Sequence, residues 1–127
     1  YPRTLRIAIR KLLGEQHPLS GYLTWMAGEV SRNDTPAIVQ AGRALSRYDA
    51  RPWARDLSVP ATMLKTTRDR LVKPRKQDAL AAALNATVVE IAADHLCTLT
   101  KPDEYSAATV RLVDQLVGSI AHRKENQ

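Results

Sequence analysis

The amino-acid sequence predicts an α/β fold in which a helical first part precedes a strand, a helix, a second strand and a last helix. Apolar residues recur with the helical period through the first part of the chain. Two short runs rich in apolar and β-branched residues, 60–67 and 86–92, have instead the length and composition of strands. Because a helical pattern separates these runs, we expect them to pair in parallel through a right-handed crossover.

Three helices are predicted in the first part of the chain. In the first helix the apolar residues share one face, and Gly14 follows it as a stop signal. The second helix is predicted over 22–30. The third is capped by Asp34 or Thr35, has a proline in its first turn and ends near 48–51. No strand is predicted in this part.

In the second part of the chain, segments with a strand pattern alternate with segments with a helical pattern. The run at 60–67 is followed by a helix that has Pro74 near its start and ends at Leu84, where Asn85 can close it. The run at 86–92 then forms the second strand. Two strands bury too little surface for an independent sheet, so this part is expected to be incomplete by itself.

The chain is predicted to end in a loop over 94–103 and a helix over about 104–121. The apolar face of that helix is expected to pack on the sheet and consists of Val110, Val113, Leu116, Val117 and Ile120.

Length and composition indicate one globular domain or a piece of one. The chain has 127 residues, of which 44% are hydrophobic and 25% charged. We divide it into a helical region, 1–56, an α/β segment, 57–122, and a polar end, 123–127, that is expected to fray. The first residue is Tyr1, so we expect the numbering to begin inside a longer product.

Charge and cysteine content restrict the expected partners and compartment. The net charge of +6 raises the question of nucleic acid, but the basic residues are diffuse and only 6 residues, 2 Trp and 4 Tyr, are aromatic, so nucleic-acid binding is not favoured. The longest apolar runs, such as 80–84, are too short for a transmembrane anchor. Cys97 is the single cysteine, which excludes an intramolecular disulfide and fits a reducing compartment. We therefore expect a cytoplasmic protein.

Two titratable residues follow the two predicted strands. Asp69 comes after the first strand and His95 after the second. The carboxyl ends of parallel strands meet at one edge of a sheet, so we expect these side chains to lie together. An Asp that accepts from one ring nitrogen of a His fixes its tautomer and leaves the other nitrogen to act as a general base. The pair would be two members of a nucleophilic triad.

Here the sequence also resembles the C-terminal half of the α/β-hydrolase family. The segment 59–74 is similar to the family's penultimate strand and acid loop, and 88–105 is similar to its last strand, histidine loop and start of the final helix. The positions that match are Pro60, Asp69, Leu71, Val72 and Pro74 in the first segment and His95, Pro102 and Tyr105 in the second. The sequence departs from the family pattern at Thr66, where glycine is frequent, and at Asp94, where a small residue usually precedes the histidine.

The resemblance implies the fold class and the reaction. It identifies the chain as the C-terminal part of an α/β-hydrolase fold, with 1–56 as its helical cap or lid. Asp69 would be the triad acid and His95 the base of a lipase-like or esterase-like enzyme that cleaves a small-molecule or lipid ester. No metal and no organic cofactor is implied.

The nucleophile is expected to lie upstream of these residues. No serine of the chain stands in a Gly-x-Ser-x-Gly elbow. In the family the nucleophile precedes the acid and the histidine, so this chain alone would lack it. The missing N-terminal half of the fold, in the same or a separate chain, is therefore an expected partner.

Several alternatives remain open. The chain could be a catalytically silent module that binds protein through a sheet edge and its helical region, including a second copy in a homo-oligomer. It could also serve another hydrolase or an acyltransferase of the same fold. Cys97 is a further candidate nucleophile.

Other side chains have structural and functional interpretations. Tyr22, Trp25 and Met26 either pack in the helical region or line an apolar substrate channel. His17 and His122 are expected to be exposed, and the wide separation of the histidines does not indicate a metal site.

Overall fold

A computed structural model describes residues 2–125 of the chain. The chain divides into two compact units, Tyr1–Asp49 and Ala50–Gln127. About 65% of the chain is helical. The sequence pattern places a boundary at residue 57, between a helical region and an α/β segment. That boundary separates patterns of secondary structure and not compact units, and it stays a prediction.

Within residues 2–49, the regular elements of the first unit are all helices. They are α1, Pro2–Leu13, a short 3₁₀ helix, Pro18–Tyr22, α2, Leu23–Ser31, and α3, Thr35–Arg47. Helices α1 and α2 pack against each other.

Local chemistry sets the helix ends in this unit as the sequence predicts. Helix α1 stops at Gly14, whose φ of 101° lies in the left-handed region that glycine adopts without strain. Helix α3 is capped by Asp34, whose Oδ1 accepts from the backbone N–H of Ala37 at 3.3 Å. Of the two residues that the sequence offers as the cap of α3, Asp34 is the one used.

The second unit contains the strands and the remaining helices. In chain order these are α4, Arg51–Ala54, β1, Thr62–Thr66, α5, Pro74–Leu84, β2, Thr87–Ile91, α6, Cys97–Thr100, and α7, Pro102–Glu125. Helix α5 ends at Leu84 as predicted, and Pro74, expected near its start, is its first residue. Its cap, Asn85, has φ 49° and ψ 42° and closes the helix in the left-handed conformation.

The two strands pair in parallel, as predicted. The register runs from Thr62 opposite Thr87 to Thr66 opposite Ile91. A small core lies between the sheet and α7: Val89, Ile91, Ala93, Cys97 and Ala108 are buried, with Leu64, Tyr105 and Leu112 packed against them.

The predicted apolar face of the last helix is turned away from this core. Tyr105, Ala108 and Leu112 are the α7 residues that pack there. The predicted set is mostly exposed, to 60% at Val110, 54% at Val113, 59% at Val117 and 40% at Ile120. Among its members Leu116 alone is half-buried. The prediction failed because α7 has two apolar sides and periodicity does not show which one meets the sheet.

The predicted fold class is wrong. The chain is mostly helical and, within residues 2–125, has only two parallel strands of five residues each. It is a small, mostly helical domain and not an α/β-hydrolase C-terminal part with repeated strand–helix units. The physical reason is that only two segments carry strand-forming runs, whereas helical patterns occupy most of the chain. Segment 97–100, expected to lie in a loop, is helical, and so is 51–54, for which the sequence pattern predicts no element.

The end of the chain is only partly described. Helix α7 continues to Glu125, and 126–127 of the polar end lie outside the described residues. In the described part of the chain, no helix combines the length and the apolar character needed to span a bilayer.

Candidate catalytic site beyond the two strands

Two loops leave the sheet side by side and carry the candidate site. Beyond the strands, the backbone N–H of Thr67 donates to the carbonyl of Ile91 at 3.0 Å, and that of Arg68 donates to the carbonyl of Ala93 at 3.0 Å. These bonds hold the loop after β1 against the loop after β2. The pairing therefore extends to within two residues of both site residues.

The structure brings Asp69 and His95 into contact. Nδ1 of His95 lies 3.0 Å from Oδ2 of Asp69 across 26 positions of sequence. The Asp69 side chain is 3% exposed, whereas that of His95 is 48% exposed. In the described part of the chain no group hydrogen-bonds to Nε2 of His95. The ring is thus anchored at Nδ1, and about half of the side-chain surface is exposed.

The loop after β1 holds the Asp69 carboxylate. Oδ1 accepts from the backbone N–H of Leu71 at 2.8 Å and of Val72 at 2.9 Å. Oδ2 accepts from the hydroxyl of Thr66 at 3.0 Å and faces His95.

These bonds decide the charge of the carboxyl group. Burial by itself raises the pKa of Asp69, but the hydrogen bonds from His95, Val72, Thr66 and Leu71 outweigh it and lower that pKa below its ordinary value. Asp69 is therefore ionised at neutral pH. An ionised Asp69 accepts from Nδ1–H and leaves Nε2 of His95 as the basic nitrogen.

Gln77 is a buried polar residue that sequence reasoning missed. It lies on α5 below the end of β1, and its carboxamide bonds to the backbone N–H, the carbonyl and the hydroxyl of Thr66. Its Nε2 also donates to the carbonyl of Val72 at 2.7 Å. A signal was available, since Gln77 shares the inward face of α5 with Ala81, and a polar residue on an apolar face requires partners.

The carboxylate of Asp94 bonds to the backbone of its own turn. Its Oδ1 accepts from the backbone N–H of Leu96 at 2.8 Å, within the turn that precedes α6. Asp69 is the carboxylate that faces the ring nitrogen.

Cys97 is not placed as a nucleophile. Its side chain is buried in the core. Burial first, and then the charges of Asp94 and Asp69, raise the pKa of the Cys97 thiol, so it stays protonated at neutral pH. Within residues 2–125, no thiol or hydroxyl hydrogen-bonds to His95.

The predicted substrate-binding residues lie in the first unit. Tyr22 ends the 3₁₀ helix and is exposed, Trp25 is 63% exposed, and Met26 is half-buried. Their exposure removes Tyr22 and Trp25 from the packed interior. Their role in substrate binding stays a prediction.

The other histidines differ from one another. His17 was expected to be exposed and is buried instead. Its Nδ1 caps the 3₁₀ helix by accepting from the N–H of Leu19 at 3.1 Å. His122 lies on an exposed part of α7. The described residues contain no group of three or more His, Cys, Asp or Glu side chains that could hold a metal ion.

Comparisons with known proteins identify no similar protein. No protein-family model, curated protein or solved structure matches the chain. Functional inference therefore starts from the contact between Asp69 and His95.

Proposed function

We propose that Asp69 and His95 are the acid and the base of a Ser-His-Asp triad that hydrolyses a carboxylic ester, with the serine supplied by polypeptide upstream of these residues. One observation carries the proposal: the buried carboxylate of Asp69, whose pKa is lowered, lies 3.0 Å from Nδ1 of an imidazole whose side chain is about half exposed. This is the geometry in which a carboxylate orients a histidine for proton transfer.

The Asp–His pair transfers protons in both halves of ester hydrolysis. Nε2 of His95 takes the proton of the serine hydroxyl as its oxygen bonds to the ester carbonyl carbon. The imidazolium, stabilised by Asp69, then gives that proton to the departing alkoxide, and the acyl group stays on the serine. A water molecule, deprotonated by the same nitrogen, releases the acid and restores the serine.

The choice of an ester rests on sequence resemblance. Segments 59–74 and 88–105 resemble the acid and histidine loops of α/β-hydrolases, among which ester cleavage is common. The dyad itself would serve acyl transfer to an acceptor other than water equally well, because the same nitrogen can deprotonate either acceptor. The proposed substrate is thus a small-molecule or lipid ester.

A second candidate function is protein binding without catalysis. It is favoured by the exposed apolar stripe of α7, which consists of Val110, Val113, Val117 and Ile120. The spacing of three, four and three residues is that of a helix seam that packs against another helix.

Labelling with a fluorophosphonate separates the two candidates. The protein is labelled as its source produces it, and intact mass and the labelled peptide are read by mass spectrometry. We expect one labelled serine outside residues 1–127. His95→Gln should reduce labelling and p-nitrophenyl ester hydrolysis at least about a hundredfold, because general-base catalysis contributes a factor of that order or more. His122→Gln, on the exposed side of α7, is the matched control and should change neither rate.

Two results would contradict the triad. One is the absence of any labelled serine in the natural product, including companion chains. The other is labelling that persists unchanged in both His95→Gln and Asp69→Asn. Either result leaves protein binding as the remaining candidate.

A further inference from the structure

A path of side-chain hydrogen bonds runs from α5 to the histidine. Nε2 of Gln77 donates to Oγ1 of Thr66 at 3.1 Å, and Oγ1 donates to Oδ2 of Asp69 at 3.0 Å. The same Oδ2 faces Nδ1 of His95. Gln77 and Thr66 are buried, as is Asp69. None of these contacts is needed to close the sheet, whose two strands pair through their backbones.

Gln77 bonds to the end of β1 as a neighbouring strand would. Its Oε1 accepts from the N–H of Thr66 at 3.0 Å, and its Nε2 donates to the carbonyl of the same residue at 3.1 Å. The amide orientation is determined by its surroundings, because a reversed carboxamide would place its oxygen against the carbonyls of Thr66 and Val72.

The orientation of Gln77 determines the direction of the Thr66 hydroxyl. The two hydrogens of Nε2 are shared among three acceptors, the carbonyl and Oγ1 of Thr66 at 3.1 Å each and the carbonyl of Val72 at 2.7 Å. Oγ1 accepts a shared hydrogen from Nε2, and its own single hydrogen is directed to Oδ2 of Asp69 at 3.0 Å. The competing contact, from Oγ1 to Oε1 of Gln77, is longer, at 3.5 Å. Oδ2 of Asp69 therefore receives two donors, one from Thr66 and one from His95.

We propose that Thr66 and Gln77 are positioning residues that orient Oδ2 of Asp69 and limit how strongly it stabilises the protonated form of His95. The proposal rests on the proposed function, because it assigns these residues to the same acid–base pair. Two donors on one carboxylate oxygen share its negative charge. If the donor from Thr66 is removed, the whole charge of Oδ2 acts on His95, and the imidazolium becomes more stable.

The surroundings of the pair stay constant in such a test. Asp94 lies beside His95 in sequence, Arg68 and Arg70 flank Asp69, and the thiol of Cys97 lies in the core nearby. All four groups are retained in every variant, so their influence on His95 cancels in the comparison.

The test is a proton NMR titration of the His95 ring in the full natural product. The resonance is assigned by its loss in His95→Gln. Thr66→Val keeps the shape of the side chain and removes the donor, and we expect it to raise the titration midpoint of His95 by about 0.5 pH unit, a threefold gain in proton affinity. Thr66→Ser restores the hydroxyl and should return the midpoint to that of the unmodified protein.

Gln77→Leu tests the more distant residue. It frees the hydroxyl of Thr66 from its fixed direction and should raise the midpoint in the same sense by a smaller amount. Gln115→Leu, on the exposed side of α7, is the matched control and should leave the midpoint unchanged. If Gln77→Leu fails to fold, Thr66→Val still decides the question.

A midpoint that is unchanged or lowered in folded Thr66→Val would overturn the proposal. The titration does not depend on a nucleophile, so its result is separate from that of fluorophosphonate labelling. A raised midpoint without a labelled serine would keep the positioning role and reject the hydrolase. A labelled serine with an unchanged midpoint would support the hydrolase and reject the positioning role of Thr66 and Gln77.

Discussion

The buried carboxylate of Asp69 accepts from the half-exposed ring of His95 over 3.0 Å, and this contact joins the two loops that follow the sheet. The same carboxylate receives two backbone N–H groups and one hydroxyl, so its ionised form belongs to the folded state. The pair is therefore a structural junction as well as a candidate for chemistry. This double role makes stability and pH the first quantities to measure.

We expect the protein to lose stability in acid, where the carboxylate of Asp69 becomes protonated. The pKa of Asp69 is lowered in the folded protein, so its contribution to the free energy of unfolding is complete above the pKa of the unfolded chain. That contribution is lost as the pH falls through the lowered folded value. Urea unfolding should show Asp69→Asn less stable than the unmodified protein at about pH 7 by about 1–3 kcal/mol, with the difference shrinking toward about pH 3.

Asp114→Asn is the control for this pH series. Asp114 is exposed on α7, so the substitution should give curves parallel to those of the unmodified protein. A gap between Asp69→Asn and the unmodified protein that stays constant down to acid pH would contradict the role given to the ionised carboxylate.

The orientation of α7 predicts opposite results at neighbouring positions. Leu112 packs against the core, whereas Val113 is 54% exposed. Leu112→Ala should lower the free energy of unfolding by about 1–3 kcal/mol, since the side chain is only half-buried. Val113→Ala should change it by less than about 0.5 kcal/mol. Equal losses at the two positions, measured by chemical denaturation, would show that the exposed stripe is covered in the protein.

Sequence reasoning worked where a local rule decides the outcome. The bounds of α5 follow from Pro74 at its start and from Asn85, which closes it in the left-handed conformation. The meeting of Asp69 and His95 follows from parallel strands whose carboxyl ends share an edge.

Sequence reasoning failed where the outcome depends on contacts across the whole chain. The fold class was wrong because the resemblance of two short segments was extended to the whole chain, most of which forms helices. Helices α4 and α6 have four residues each, too few for periodicity to show. The burial of His17 depends on how the first unit packs, and the role of Gln77 depends on its packing against the end of β1, neither of which is encoded in spacing.

The left-handed cap of α5 gives a prediction with an internal control. Asn85 has φ 49°, a conformation that costs an ordinary side chain roughly 1 kcal/mol and glycine nothing. Asn85→Ala should therefore lower the free energy of unfolding by about 1 kcal/mol, whereas Asn85→Gly should leave it within about 0.5 kcal/mol. Thermal melting of the two variants tests this prediction. An alanine variant as stable as the glycine variant would contradict the left-handed conformation of the cap.

Lys65 links three elements of the second unit. Its Nζ lies 2.6 Å from Oδ1 of Asp78 on α5 and 2.8 Å from Oε1 of Glu90 on β2. The hydrogen bonds to Asp78 and Glu90 together raise the pKa of Lys65. Because either carboxylate can keep the ammonium paired, Asp78→Asn or Glu90→Gln alone should lower the melting temperature slightly.

The double variant should lose more stability than the two single losses added together. It leaves the Lys65 ammonium without a carboxylate among the contacts described here, so the coupling between the two sites becomes visible. Strict additivity in a double-mutant cycle would show that the two ion pairs act independently.

The thiol of Cys97 should be slow to react. It is buried, and burial raises its pKa, so little thiolate is present at neutral pH. Alkylation by iodoacetamide at about pH 7.5 should be at least tenfold slower in the folded protein than in urea, an order-of-magnitude expectation for a thiol that reacts only when the core opens. Cys97→Ala should fold and keep any ester hydrolysis that His95→Gln abolishes. Rapid alkylation that stops hydrolysis would instead return Cys97 to the position of nucleophile, with His95 two residues away as its base.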